Sequence, residues 1–295
     1  MGKIWQLLKM TANGWSDDYV SSMGAALSFY TLFSIAPMLL IVLSIAGFAF
    51  GVDAARGEIS GQLNHLMGEQ GAVAVQALIE NVNKPQEGLI ATIIGFVLLL
   101  VGATTVFGEL QNSLDRIWCV PERKKINGIV ALFRERILSF GVILGIGFIL
   151  MVSLVFSAGL SAVGQWWSPD STEWVSILKI LNIVFSFVMT TAMFAMIYKL
   201  MPSARIHWSE VWIGALFTSI LFMVGKLLIG LYIGRSEIAS GFGVAGSLVV
   251  LLVWVYYSAQ VFLLGAEFTW AYSKTYGSRK PKIEAKIEAK IEAKT

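Results

Sequence analysis

The chain has 295 residues, of which 56% are hydrophobic and only 14% charged, with a formal net charge of +3. A water-soluble domain carries about 25% charged residues, so this composition cannot cover a water-facing surface of that size and points to lipid as the surrounding solvent. The small net charge gives no argument for nucleic acid. The single cysteine, Cys119, excludes an internal disulfide.

A bilayer core about 30 Å thick needs about 20 apolar residues of helix. Uncharged runs at 19–52, 88–108, 137–169, 180–198 and 238–266, with 211–234 interrupted only by Lys226, predict six spans. We place them at 24–50, 88–108, 138–162, 177–198, 211–233 and 245–270 of a membrane domain covering 1–275. The fold expected is all-α: a polytopic membrane helix bundle with a helical loop on the outer face between the first two spans. Barrel strands would be shorter and alternate in polarity, which these runs do not. The first span follows no cleavage-site pattern and is expected to act as an uncleaved anchor.

The first span carries Gly24, Ser28, Thr31 and Ser34 on one face, with Tyr30 beside it and Pro37 downstream. Pro37 lacks an amide hydrogen and is expected to kink the helix. The loop 51–87 has apolar residues at near-helical spacing over 59–67 and 72–82, separated by Gly68-Glu-Gln-Gly71. These predict two short helices, either a lid packed on the bundle or a gate over an outward cavity. In the second span Gly88, Gly95, Gly102 and Glu109 recur every seven residues, the glycines for close helix contact and Glu109 on the same face at the inner end. Gly141 and Gly145 offer a small-residue contact in the third span. Asn182, Ser186 and Thr190 share a face of the fourth. Most of these groups are expected to be interhelical glue; some are candidates to line a pathway.

Lys226 lies about 10 Å from the outer end of span five at 1.5 Å per residue. A charge inside a membrane is costly and is a candidate functional group, although a lysine bonded to carbonyls serves structure equally well. In the last span Tyr256, Gln260 and Glu267 share a face. Tyr256 lies near the depth of Lys226 and Gln260 somewhat deeper, which makes these two its better candidate partners, whereas Glu267 is too far along the axis for direct pairing. Gly241-Phe-Gly-Val-Ala-Gly246 spells a dinucleotide fingerprint without the strand and βαβ unit that the fingerprint requires, and reads as a turn. The tail 276–295 repeats Lys-Ile-Glu-Ala from Lys282, placing like charges four residues apart, which weakens a helix; it reads as dispensable.

Orientation follows from the basic residues. With both ends inside, seventeen Lys and Arg fall in inner segments, and only Arg56, Lys84 and Arg235 in outer ones. Trp118, Trp166, Trp167, Trp174, Trp208, Trp212 and Trp270 lie near span ends, as amphipathic rings prefer. No nucleophile–histidine set, paired carboxylates, phosphate-binding lysine or zinc spacing is visible, so neither an enzyme nor a metal or cofactor site is expected.

Three stretches carry a family resemblance. Gly24-Ala-Ala-Leu-Ser-Phe-Tyr-Thr-Leu-Phe-Ser-Ile-Ala-Pro37, the run Leu110-Gln-Asn-Ser-Leu-Asp-Arg-Ile-Trp118, and Leu252-Val-Trp-Val-Tyr-Tyr-Ser-Ala-Gln-Val-Phe-Leu-Leu-Gly-Ala-Glu-Phe268 resemble signatures of the YihY / virulence factor BrkB membrane proteins. Lys226 and Tyr232 also sit where that pattern has them. The resemblance implies a six-span protein of the bacterial inner membrane, with both termini cytoplasmic and the 51–87 loop periplasmic. It also implies a link, in some members, to envelope-lipid handling. A ribonuclease label once attached to the family finds no supporting residues here. The function expected is transport or translocation of an amphiphilic or lipid-linked substrate; the alternative is a non-transporting envelope scaffold or assembly factor. The expected partners are membrane lipids, a second copy or other envelope proteins, and no nucleic acid.

Overall fold

A computed structural model describes residues 2–50, 105–120, 172–235 and 246–279, with scattered helical positions between 57 and 76 and between 145 and 159. Side chains over 36–50, 172–176, 233–235 and at 179 lie outside that description. The described residues form helices α1 (Lys3–Asp17), α2 (Val20–Phe50), α3 (105–117), α4 (Thr172–Leu200), α5 (Trp208–Arg235) and α6 (Gly246–Thr275), and no strand is found among them. Three are long and apolar enough to cross a bilayer: Ile180–Leu200 of α4, Trp208–Tyr232 of α5 and all of α6. The predicted spans 88–108 and 138–162 lie largely outside the described residues, as do Gly88, Gly95, Gly102, Gly141, most of the 241–246 glycine motif and the tail from 280.

The outward faces of α4 and α5 expose Ile180, Val184, Leu216, Ile220, Leu227, Leu228 and Leu231. Exposed apolar side chains along helices of this length are stable against lipid and not against water. Hydroxyls within the spans turn onto their own helices. Ser28 donates to Gly24 O (2.6 Å), Thr190 to Ser186 O (2.9 Å), Thr218 to Gly214 O (2.8 Å) and Thr269 to Gly265 O (2.7 Å). The interhelical role expected of Ser28 and Thr190 is thus met inside the helix, where the nearest carbonyl one turn back takes the proton.

The chain divides into two units, one of 1–18, 114–219 and 264–295, the other of 19–113 and 220–263. In the first, Leu7 of α1 packs with Phe268 and Ala271 of α6, joined by Met10, Phe217, Trp270 and Tyr272. Phe217 and Phe268 stack with ring centroids 3.9 Å apart. In the second, Val75 from the 51–87 loop is fully buried with Ile229, Val250 and Leu251, and Leu63 packs against the same group. The described positions of that loop (57, 60, 61, 63, 64, 72, 73, 75 and 76) are helical, and Leu63 and Val75 pack them against α5 and α6.

Two features differ from expectation. Helix α1 was not anticipated: the segment before the first span folds as an amphipathic helix. Helix α3 continues to residue 117, past the span end placed at 108, so Glu109 sits within a helix and not at its end. The reason is packing: Leu114, Ile117 and Trp118 are almost fully buried while Asn112 and Arg116 face out, which makes this turn an amphipathic continuation. Trp118 is accordingly a core residue and not an interfacial ring. Both α1 and α3 end at a residue with left-handed backbone, Tyr19 (φ 56°) and Cys119 (φ 49°). That conformation stops a helix, and glycine normally supplies it.

Candidate functional site

Within the first unit the focus is Glu267 of α6, which is only 1% exposed. Its Oε1 has no hydrogen-bond partner among the described residues. Its Oε2 lies against Gly14 of α1, where an added Cβ would stand 3.0 Å from the carboxyl carbon and closer still to the oxygen. The Asp18 carboxyl lies within hydrogen-bonding reach, and Asp17 acts on it through space. Both acids come from the last turn of α1 and its cap, where the Asp18 amide bonds Gly14 O at 2.9 Å. Arg116 of α3 stands 3.8 Å from Asp18. That pair is solvent-exposed enough to contribute less than about 1 kcal/mol, so it orients Asp18 without neutralising the buried carboxyl. Three carboxyl groups therefore converge on the junction of α1 with α6, and the innermost is incompletely satisfied. No group of three or more His, Cys, Asp or Glu fit to hold a metal ion is found among the described residues.

Neighbouring contacts hold this end of the unit together. Asp115 accepts from Ser203 N (2.6 Å), fixing the 201–207 connection between α4 and α5 on α3. Lys199 donates to Ile206 O and lies over the Trp208 ring (5.4 Å). Glu210, in the first turn of α5 and 2% exposed, accepts from Ser278 N at 2.6 Å, while its Oε2 has no partner among the described residues. Arg279 stacks on Trp118 and donates to its carbonyl at 3.3 Å. The first four residues of the presumed tail thus belong to the bundle. Tyr198 OH and Thr218 Oγ1 share a buried hydrogen bond of 2.9 Å beside Gly265.

In the second unit Gln260 Nε2 donates to Val20 O and Ser21 O of α2, each at 3.4 Å. An added Cβ at Gly24 would lie 3.1 Å from the Gln260 amide carbon and 3.7 Å from the Tyr256 ring. The small-residue face of the first span therefore receives the polar face of the last one, as the shared spacing of Tyr256 and Gln260 suggested. Their described contacts are with α2; Lys226 is half-buried on α5, one residue from Gly225, which receives the Tyr257 ring. Tyr30 and Thr31 are half-buried on α2, Tyr30 edge-on to Phe29 at 5.6 Å. Asn182 is half-buried on α4 and Glu109 half-buried on α3. Helix α2 runs through Pro37, whose side chain is outside the described set.

The structure thus joins Tyr256, Gln260 and Gly24 in one unit, and adds Gly14, Asp17 and Asp18 to Glu267 in the other. Asp17, Asp18, Glu210, Tyr198 and Thr218 were missed from sequence. A search for charge inside spans passes over acids that flank them. For Glu210 the signal was available: a carboxylate between Trp208 and Trp212 at the mouth of an apolar run.

The helices and their outward apolar faces define a helical membrane protein. The chain matches the Virulence factor BrkB family over residues 11–288 and belongs to that family. It is 25% identical over 279 residues to a UPF0761 membrane protein of Tolumonas auensis, covering 90% of this chain and 86% of that one. It is 29% identical over 262 residues to a UPF0761 membrane protein of Psychromonas ingrahamii, covering 85% and 82%. Against a UPF0761 membrane protein of Pseudomonas paraeruginosa it is 25% identical over 267 residues, and there it spans 88% of this chain but only 61% of the longer relative. No solved structure matches the chain.

Proposed function

We propose that this protein translocates an amphiphilic or lipid-linked substrate across the bacterial inner membrane, without enzymatic chemistry or a bound cofactor. In this reading six spans cross the bilayer, both ends are cytoplasmic and the 51–87 loop is periplasmic. The observation that carries it is Glu267: a carboxyl buried at a helix junction, with one oxygen lacking a partner among the described residues, costs stability. Such a cost is retained where a site has work to do. Lys226, half-buried in an apolar span, gives a second polar foothold for a headgroup.

The test is reconstitution of the purified chain into liposomes with a headgroup-labelled phospholipid as probe, alongside mass spectrometry of lipids bound after gentle purification. Flux that disappears in Glu267→Gln and Lys226→Leu, with protein level unchanged, supports the reading. Absence of flux for every probe lipid and every lipid found bound, together with stably co-purifying envelope proteins, would assign the chain to the scaffold alternative.

A further inference from the structure

Helix α1 turns one face to α6 and leaves large apolar side chains exposed on another. At 100° per residue, Leu7, Thr11 and Gly14 form a narrow stripe turned to α6. Beside it, Ile4, Trp15, Leu8, Ala12 and Trp5 occupy a sector about 100° wide. In that sector Ile4, Trp5 and Leu8 are 71%, 57% and 43% exposed, Ala12 is exposed and Trp15 half-buried. The remaining arc holds Ser16, Lys9, Asn13, Gln6, Asp17, Met10 and Lys3, with Met10 at its edge packed toward α6. A helix that needed only its α6 contact and water would not carry a second apolar sector.

The same unit shows what medium lies at this level. Leu7 packs at Phe268 and Ala271, and Thr275 Oγ1 lies 3.9 Å from Met10 Sδ, so α1 is fastened along the last two turns of α6. There Lys274 stands 4.0 Å over the Trp270 ring, and Lys199 pairs likewise with exposed Trp208. Tryptophan–lysine pairs at the ends of apolar spans mark the membrane–water boundary. Only Asp18 and Tyr19 separate α1 from α2, which exposes Phe29 and Phe33 in its third and fourth turns.

We infer that α1 is an interfacial helix that lies on the bilayer surface, its Ile4–Trp5–Leu8 sector sunk into the acyl boundary and Lys3 and Lys9 among lipid phosphates. The occupant of the second apolar face is lipid, not a second copy and not another protein. The helix then fixes the Asp17–Asp18 end, which meets Glu267, at the depth of the head groups.

The experiment uses the full chain with Cys119→Ser and single cysteines introduced as Ile4→Cys, Leu8→Cys, Gln6→Cys or Asn13→Cys. Each is spin-labelled and reconstituted in vesicles of phosphatidylethanolamine and phosphatidylglycerol. All four positions are exposed, and each variant is compared with the parent by size-exclusion profile before labelling. The expected result is a severalfold higher ratio of oxygen to aqueous nickel-chelate accessibility at 4 and 8 than at 6 and 13. Equal chelate access at all four positions would place the helix in water and overturn the inference. Shielding of positions 4 and 8 from both reagents would show protein, including a second copy, on that face and overturn it equally.

Discussion

Gly14 leaves open the space that the Glu267 carboxyl fills: any side chain at position 14 would collide with Oε2. The absence of one methyl group on α1 therefore decides where a buried carboxyl on α6 can sit. Burial of that carboxyl beside Asp18 with Oε1 unpartnered among the described residues is a local conflict between stability and placement. Conflicts of this kind concentrate at functional positions.

The first prediction separates these two quantities. Glu267→Gln keeps the shape, and the new amide can donate to Asp18, so the detergent-solubilised melting temperature is expected to stay level or rise while translocation is lost. Gly14→Ala is expected to lower both, because the carboxyl must leave its place; overpacking of this kind costs about 1–3 kcal/mol. Melting curves and flux on the same preparations check this. A Glu267→Gln protein that melts well below the parent would make the residue a structural support.

The second prediction concerns helix approach. At Gly214 an added Cβ would stand 2.8 Å from Cβ of Thr269, and at Gly265 2.9 Å from Cβ of Thr218. Threonine is stiff at χ1 and cannot swing away, so Gly214→Ala and Gly265→Ala should each destabilise by about 1–3 kcal/mol. Tyr198→Phe removes only the hydroxyl bonded to Thr218, whose own bond to Gly214 O persists. Its expected cost is smaller, about 0.5–1.5 kcal/mol. Fluorescence-detected thermal unfolding should rank the three in that order.

What the sequence made legible follows from what lipid demands. Apolar length, broken in α5 only by Lys226, located α4, α5 and α6 to within about five residues, since a span's hydrophobicity is set by the bilayer and not by its neighbours. Side-chain spacing placed Tyr256 and Gln260 on one face, and the structure turns both toward Gly24. Helix α1 escaped because its apolar residues are interleaved with lysine and glutamine over only fifteen positions, too few and too mixed for a span. The partners of Glu267 escaped for a different reason. Asp17 and Asp18 are about 250 residues away in the chain, and only the packing of Leu7 on Phe268 brings them near. Periodicity reports which face a residue occupies, not what that face will meet.

The third prediction tests orientation with a residue already present. Cys119 is the single cysteine and is exposed at the left-handed turn after α3. It lies in the segment that contains Arg116, Arg123, Lys124 and Lys125, which the distribution of basic residues assigns to the cytoplasmic side. A membrane-impermeant maleimide should label it in inverted vesicles and not in intact spheroplasts. Labelling in spheroplasts alone would reverse the topology and the assignment of every loop with it.

The fourth prediction divides the C-terminal tail at a single residue. Ser278 donates its amide to Glu210, and Arg279 both stacks on Trp118 and bonds its carbonyl. A chain ending after Arg279 retains all three contacts and should match the parent in abundance and melting temperature. A chain ending after Tyr276 loses them and leaves both oxygens of the buried Glu210 carboxyl without a partner among the described residues, since Oε2 already lacks one there. Unmet hydrogen bonding at a buried charged group costs more than the roughly 1–3 kcal/mol of a neutral one, so this shorter chain should melt lower and accumulate less. Glu210→Gln in the shorter chain should restore part of the difference, because the amide carries no charge to be buried. Equal behaviour of the two truncations would show that the Glu210–Ser278 bond contributes nothing to the fold.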